Sequence, residues 1–187
     1  MPETRSPQDA SRATTFAEKQ PQAGTSGLFL REEQMRLAQD LMFFAYRDFT
    51  GAADAVLEEL GMGRAHHRAL HFVGRNPGMT VGDLLAILRI TKQSLARVLG
   101  ALVEEGYIAQ DPGRQDRRQR LLSLTEKGRT LERRLFDHQR ARLLAAYREA
   151  GGPAVDGFRR VMRAIMDQEA RAYLDRADTP TRPASLP

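Results

Sequence analysis

The sequence contains no cysteine and no tryptophan. Without thiols there is no disulfide scaffold, no thiol nucleophile, no thiol-based redox switch and no Cys-ligated zinc or iron–sulfur centre. Long apolar runs are missing as well. The longest, Leu41 to Tyr46, has six residues and is too short to cross a bilayer. The first residues, MPETRSPQDASR, hold no apolar stretch of the kind that directs export. The expectation is a soluble, cytoplasmic protein with no membrane partner. No Gly-rich phosphate loop and no Ser/His/Asp constellation stands out, so catalysis is unsupported and neither cofactor nor metal is expected.

What is present is charge, and its placement matters more than its total. The 187 residues carry 29 Lys+Arg against 24 Asp+Glu, net +5, and 26 of the cations are arginine. Arginine suits bidentate contact with phosphate or guanine, although a bias of this kind equally reflects genome composition. Residues 1–27 are neutral, residues 28–61 are net −4, residues 62–128 net +5 and residues 129–187 net +4. An acidic N-terminal helix therefore precedes a basic middle, as expected when one face meets a polyanion and another meets something else.

The chain reads as mainly α with a small β-hairpin. Residues 1–27, rich in Pro, Ser, Thr, Gln and Gly, and residues 177–187, with their prolines, are read as tails without a core. Apolar positions 38, 41, 42, 45, 49, 52, 53, 56, 57 and 60 have helical spacing, and Gly51 is where that helix bends or breaks. A second helix spans about 64–74, before Asn76-Pro77-Gly78. Thr80 caps a short helix, with Asp83 in capping-box position. Thr91 caps the next, Lys92 to about Glu105, which Gly106 closes. The period then switches at Tyr107–Gln110 and Arg120–Leu124, two short strands around the loop 111–119. Thr125 starts a helix to about Ala150. Gly151-Gly152-Pro153 breaks it, and a last helix, about 154–174, should turn Phe158, Val161, Met162, Ile165 and Tyr173 inward.

Helix, tight turn at Arg89-Ile90-Thr91, helix and basic hairpin, in that order, are the layout of a winged helix-turn-helix. The second helix of the pair buries 95, 98, 99 and 102, which leaves 93, 97, 100 and 104 outward. Its start carries Thr91, Lys92, Gln93, Ser94 and Arg97 and no carboxylate, as a helix entering the major groove requires. Gly100 and Ala101 allow close approach, and Glu104 and Glu105 come late. The hairpin loop bears Arg114, Asp116, Arg117 and Arg118, with Arg120 directly after it. It forms a cationic arm for a minor groove or backbone, with Asp116 placed to orient Arg118 by an ion pair.

The stretch MTVGDLLAILRITKQSLARVLGALVEEGYIAQDPGRQDRRQRLLSLTEKG resembles the signature region of the MarR family of bacterial transcriptional regulators. Its most specific part is DRRQRLLSLTEKG, residues 116–128: an Asp-x-Arg wing, a strand ending Leu-Thr, and a glycine three residues on. FFAYRDFT, with GRAHHRALHFVGRNPGMT downstream, is similar to a PetP-like branch. The resemblance implies a homodimer on a pseudo-palindromic double-stranded operator, with Asp116 and Arg118 at the minor groove. It implies a division into an N-terminal dimerisation helix (28–61), a DNA-binding domain (62–128) and C-terminal dimerisation helices (129–176). It also implies a pocket for a small aromatic or anionic effector between the two parts. The surplus apolar stripes of the flanking helices independently call for a partner copy, with recognition helices about 34 Å apart.

His66, His67 and His71 share one short helix, and His67 and His71 are spaced i, i+4. That spacing can hold a metal, but packing or surface histidines are the commoner outcome, and HHRALH lacks the glutamate of a metalloprotease. His67 and His71, with Phe43, Arg47 and Thr50, are instead candidates to line the effector pocket. Two rival functions stay open at this point. One is a sequence-independent DNA binder. The other is a metal- or ligand-handling protein built on the histidines.

Overall fold

The computed structural model describes residues 31–113 and 116–178. The expected N-terminal tail, the last nine residues and Arg114 of the hairpin loop lie outside the described residues. The chain divides into two units, 1–42 and 43–187, each treated by itself. In the first, the described residues belong to α1 (Glu32–Gly51), with Met35, Leu37, Leu41 and Met42 exposed.

The second unit contains the rest of α1, then α2 (Asp54–Glu59), α3 (Arg64–Arg75), β1 (Met79–Thr80), α4 (Val81–Leu88), α5 (Lys92–Glu104), β2 (Ile108–Pro112), β3 (Arg120–Leu124), α6 (Glu126–Ala150), α7 (Gly152–Ile165) and α8 (Gln168–Asp178). The stripe from 31 to 60 is two helices. Thr50 donates its hydroxyl back to the Tyr46 and Arg47 carbonyls at the Gly51 break, and Ala53 beyond it is fully buried.

Each end of the central helix pair forms by the capping chemistry its residues carry. Thr80 Oγ1 accepts from the Asp83 N–H while the Asp83 carboxylate accepts from the Thr80 N–H, a complete capping box. Thr91 Oγ1 accepts from the Ser94 N–H, and Thr125 Oγ1 from the Gly128 N–H. Gly106, at φ 73°, takes the left-handed conformation that ends α5.

The sheet has three strands, not two. β1 pairs antiparallel with β3 (Met79 opposite Leu122), and β3 pairs with β2 along its length, giving the order β1-β3-β2. Two residues are too few to leave a period in the sequence, so β1 had no local signal. The core lies between the sheet and helices α2 to α6. Leu57, Leu70, Leu84, Leu102, Leu122 and Leu135 are each 1% exposed or less. Burying one such side chain stabilises the fold by about 1.5–3 kcal/mol.

The C-terminal segment departs from expectation in two ways. The helix over 154–174 is interrupted at Met166, whose backbone is extended (φ −66°, ψ 146°). Asp167 then accepts from the Ala170 N–H and starts α8 afresh. And Phe158, Val161 and Ile165 do not point inward. They are 48%, 58% and 56% exposed, with Met162 and Tyr173 half-buried. Their helical stripe is real, but among the described residues it stays largely uncovered, with Phe158 meeting only the edge of Tyr147 among the aromatic rings. Among the described residues no helix is long and apolar enough to cross a membrane.

Candidate nucleic-acid interface

The helix α5 buries Leu95, Val98, Leu99 and Leu102 against the core. That anchorage fixes the opposite face, where Lys92, Gln93 and Arg97 are exposed, as is Gly100. Thr91 and Ser94 are tied together: besides the main-chain cap, the Thr91 hydroxyl donates to Ser94 Oγ at 2.9 Å. The first turn of α5 contains no acidic residue. Its free N–H groups and positive dipole end therefore favour an anion, undisturbed by carboxylates.

The wing is the β2–β3 ladder and its connecting loop. Gly113 N–H donates to the Gln119 carbonyl and Gln119 N–H to the Asp116 carbonyl, which closes the loop. A Cβ at Gly113 would sit 2.6 Å from the Asp116 carbonyl oxygen, so glycine is required there. Arg117, Arg118 and Arg120 are exposed. Asp116 acts differently from the expected ion pair. Its carboxylate accepts from the main-chain N–H of Arg118 at 2.9 Å, shaping the turn and leaving the guanidinium uncommitted. Among the described residues, Lys92, Arg97, Arg117, Arg118 and Arg120 form no ion pair. Some arginines elsewhere are held by carboxylates, among them Arg64 by Asp54 and Arg134 by Glu59. Exposed arginines without an ion pair also occur on other helices, among them Arg68, Arg75, Arg140 and Arg148, so what sets α5 and the wing apart is their place in the helix-turn-helix and hairpin.

The joint between α5 and α6 holds residues whose roles only the structure reveals. Thr125 Oγ1 donates to the Gly106 carbonyl at 2.7 Å, and its main-chain N–H donates to the Tyr107 carbonyl. Lys127 Nζ donates to the Glu105 carbonyl at 2.6 Å and lies 4.1 Å from the centre of the Tyr107 ring. The LTEKG motif marked this place in the sequence, but not that it grips the end of α5.

The three histidines separate. His66 Nδ1 accepts from the Gly63 N–H and so caps α3. His67 and His71 are half-buried on α3, and His71 Nδ1 lies 3.7 Å from the Glu132 carboxylate. Among the described residues no group of three potential ligands could hold a metal ion. Of the other pocket candidates, Phe43 is 63% exposed and meets Phe44 edge-on. The Arg47 guanidinium donates to Asp48 and stands over the Phe44 ring, and the Thr50 hydroxyl is spent on α1 itself. Among the described residues, no hydrogen bond, ion pair or ring contact joins Phe43, Arg47 or Thr50 to either histidine.

Burial pushes His67 below its ordinary value of 6.5, against a weaker pull from Asp54. Burial also pushes His71 down, with Arg75 and His67 adding to it. The unfolded chain therefore takes up protons that the folded chain resists. The stability this contributes is present above pH 6.5 and is lost as pH falls through the folded values. Glu132 acts in the opposite sense. Burial raises its carboxyl above 4.5, so its contribution is present below 4.5 and is lost as pH rises through its folded value. The urea midpoint should fall between about pH 7.5 and about pH 5.5. His67→Gln/His71→Gln should flatten that fall, and an equal fall in the double variant would contradict the assignment.

A family profile described as the MarR family matches residues 60–119. The chain is 51% identical over 150 residues to the HTH-type transcriptional regulator PetP of Rhodobacter capsulatus, covering 80% of this chain and 90% of that protein. Its fold is shared with a crystal structure of a MarR family transcription regulator (TM-score 0.64, 19% identity, 82% of this chain and 99% of that one). It is shared also with a MarR family protein of Mycobacterium tuberculosis in complex with p-aminosalicylic acid (TM-score 0.51, 21% identity, 68% of this chain and 96% of that one).

Proposed function

Since the chain belongs to the MarR family of transcriptional regulators, we propose that it regulates transcription by binding a pseudo-palindromic DNA operator as a homodimer. The observation that carries this reading is the set of exposed, unpaired cations Lys92, Arg97, Arg117, Arg118 and Arg120 on the start of α5 and on the wing. Lys92, Gln93, Ser94 and Arg97 read base edges and phosphates in the major groove. Thr91 holds their register, and the wing, with Arg117, Arg118 and Arg120, reaches the adjacent minor groove. Binding-site selection on genomic DNA tests this. The expected result is a two-fold consensus with half-sites about one DNA turn apart. Retention without a consensus would point instead to a sequence-independent binder.

The homodimer reading rests on apolar helix surface left open in one chain. Phe43, Phe44 and Tyr46 of α1 and Phe158, Val161 and Ile165 of α7 are all more than 45% exposed. Surface of this size and apolarity belongs in an interface. Val161→Glu/Ile165→Glu should convert the dimer to a folded monomer in sedimentation equilibrium and abolish binding to the full operator. A variant that remains dimeric would remove α7 from the interface.

The effector, on this reading, is a small aromatic anion. The solved complex of a MarR family protein with p-aminosalicylic acid supports that chemistry. Arg47 and the neutral histidines His67 and His71 would meet the anionic group, with Phe43 and Thr50 alongside. Repeating the selection with and without aromatic acids identifies the response. The protein acts in the cytoplasm, with the DNA.

A further inference from the structure

We propose that Arg89 is a positioning residue: it ties the turn of the helix-turn-helix to the start of α8 and thereby sets the half-site spacing that the protein accepts. The inference rests on the dimeric reading above. Arg89 is the one non-glycine residue with positive φ among the described residues (φ 49°, ψ 42°). An L-residue holds that conformation only where its surroundings compensate. It stands two residues before Thr91, the cap of α5.

Its guanidinium is divided between two carboxylates, Asp167 Oδ2 at 2.8 Å and Glu169 Oε2 at 2.7 Å. Asp167 is also the residue that starts α8. A second fastening lies further along α8. Asn76 Nδ2 donates to the Tyr173 hydroxyl at 2.8 Å, and the Tyr173 ring meets Phe72 edge-on at 5.8 Å. α8 is therefore held at two points of the DNA-binding unit, the end of α3 and the turn that aims α5. It follows directly on α7, whose Val161 and Ile165 lie in the proposed dimer seam. The sequence of parts from seam to groove is α7, α8, Arg89, Thr91, α5. Arg89 also differs from the groove-facing cations, because its charge is already spent on protein carboxylates.

Exposed ion pairs are individually weak, so the effect belongs in geometry more than in stability. The test combines two readouts on the full chain. One is selection from duplexes carrying two half-sites at varied spacing. The other is hydrogen exchange of α8 in the free protein. Wild type should accept a narrow range of spacings. Arg89→Glu should accept neighbouring spacings within several-fold of the best one and let α8 exchange several-fold faster. Arg89→Glu/Asp167→Asn/Glu169→Arg, which reverses one pair and keeps a capping side chain at 167, should restore both. Arg89→Gln, which removes the charge without reversing it, should show the same changes to a smaller degree if Arg89→Glu does not fold.

Three results overturn the inference. Uniformly weaker binding at all spacings, with a shallower salt dependence and no rescue, would make Arg89 a phosphate contact. Exchange that changes and is restored while spacing stays narrow would confine the ion pairs to holding α8. Wild type that selects no paired half-sites would remove the dimeric reading and the spacing role with it, while the exchange arm still reports on the ion pairs.

Discussion

Gly128→Val is expected to destabilise the fold by about 3 kcal/mol or more, the range of severe overpacking against fixed atoms. Gly128 is in the first turn of α6, directly beneath the end of α5. A Cβ there would lie 2.0 Å from the Tyr107 carbonyl oxygen and 3.0 Å from its carbon. Those are backbone atoms, and the same oxygen accepts from the Thr125 N–H, so it cannot swing aside without losing that bond. Gly100→Ala is the control. Nothing lies within 4 Å of a Cβ at Gly100, so alanine should be neutral or stabilising by about 0.5–1 kcal/mol in a helix interior. Thermal unfolding of the two variants checks the pair. Equal midpoints would show that α6 can move away from Tyr107.

Arg97→Ala/Arg118→Ala should lower operator affinity by about 100-fold or more, since a good base-reading pair is worth about 1–3 kcal/mol. Both residues are exposed, and neither is tied to a carboxylate among the described residues. The variant should keep the wild-type unfolding midpoint. The salt dependence of binding should become shallower by about 0.9 in slope for each DNA phosphate that is no longer neutralised. Gel-shift titrations at several salt concentrations measure both. Unchanged affinity would place the groove-reading surface elsewhere.

Most of the helical order was legible because it rests on local chemistry. Thr80 with Asp83, Thr91 with Ser94, and Thr125 with Gly128 are caps three residues long, and a short window of sequence contains the whole interaction. The buried set 95, 98, 99 and 102 followed from one helical period. What stayed hidden depends on distant partners. β1 exists because Met79 and Thr80 meet Leu122 and Leu121, some forty residues later in the chain. The break at Met166 was readable in principle from Asp167 as a cap, but the apolar stripe running across it argued for one helix. That stripe also misled about direction. Periodicity says that Val161 and Ile165 share a face, and nothing in one chain says what the face meets.

The candidate site divided along the same line. The cations of α5 and the wing were visible as composition and order, whereas their freedom from carboxylates is a tertiary fact. Asp116 sat where an ion pair with Arg118 was expected, yet its short side chain reaches the main-chain N–H two residues on. Arg89 carried no signal, since its partners Asp167 and Glu169 lie far along the sequence.

The Thr125–Lys127 joint has a mechanical consequence. It clamps Glu105, Gly106 and Tyr107 to the first turn of α6, and Thr125 directly follows β3, the strand that carries one side of the wing. The end of α5 and the base of the wing are therefore joined in one link, and α6 is its lever. Twenty-five residues make that lever about 37 Å long, so a tilt of about 5° displaces its far end by roughly 3 Å. A push on α6 cannot withdraw the helix and leave the wing in place. On the DNA-binding reading proposed above, α5 and the wing would leave the duplex together, so release from each half-site would be all or none.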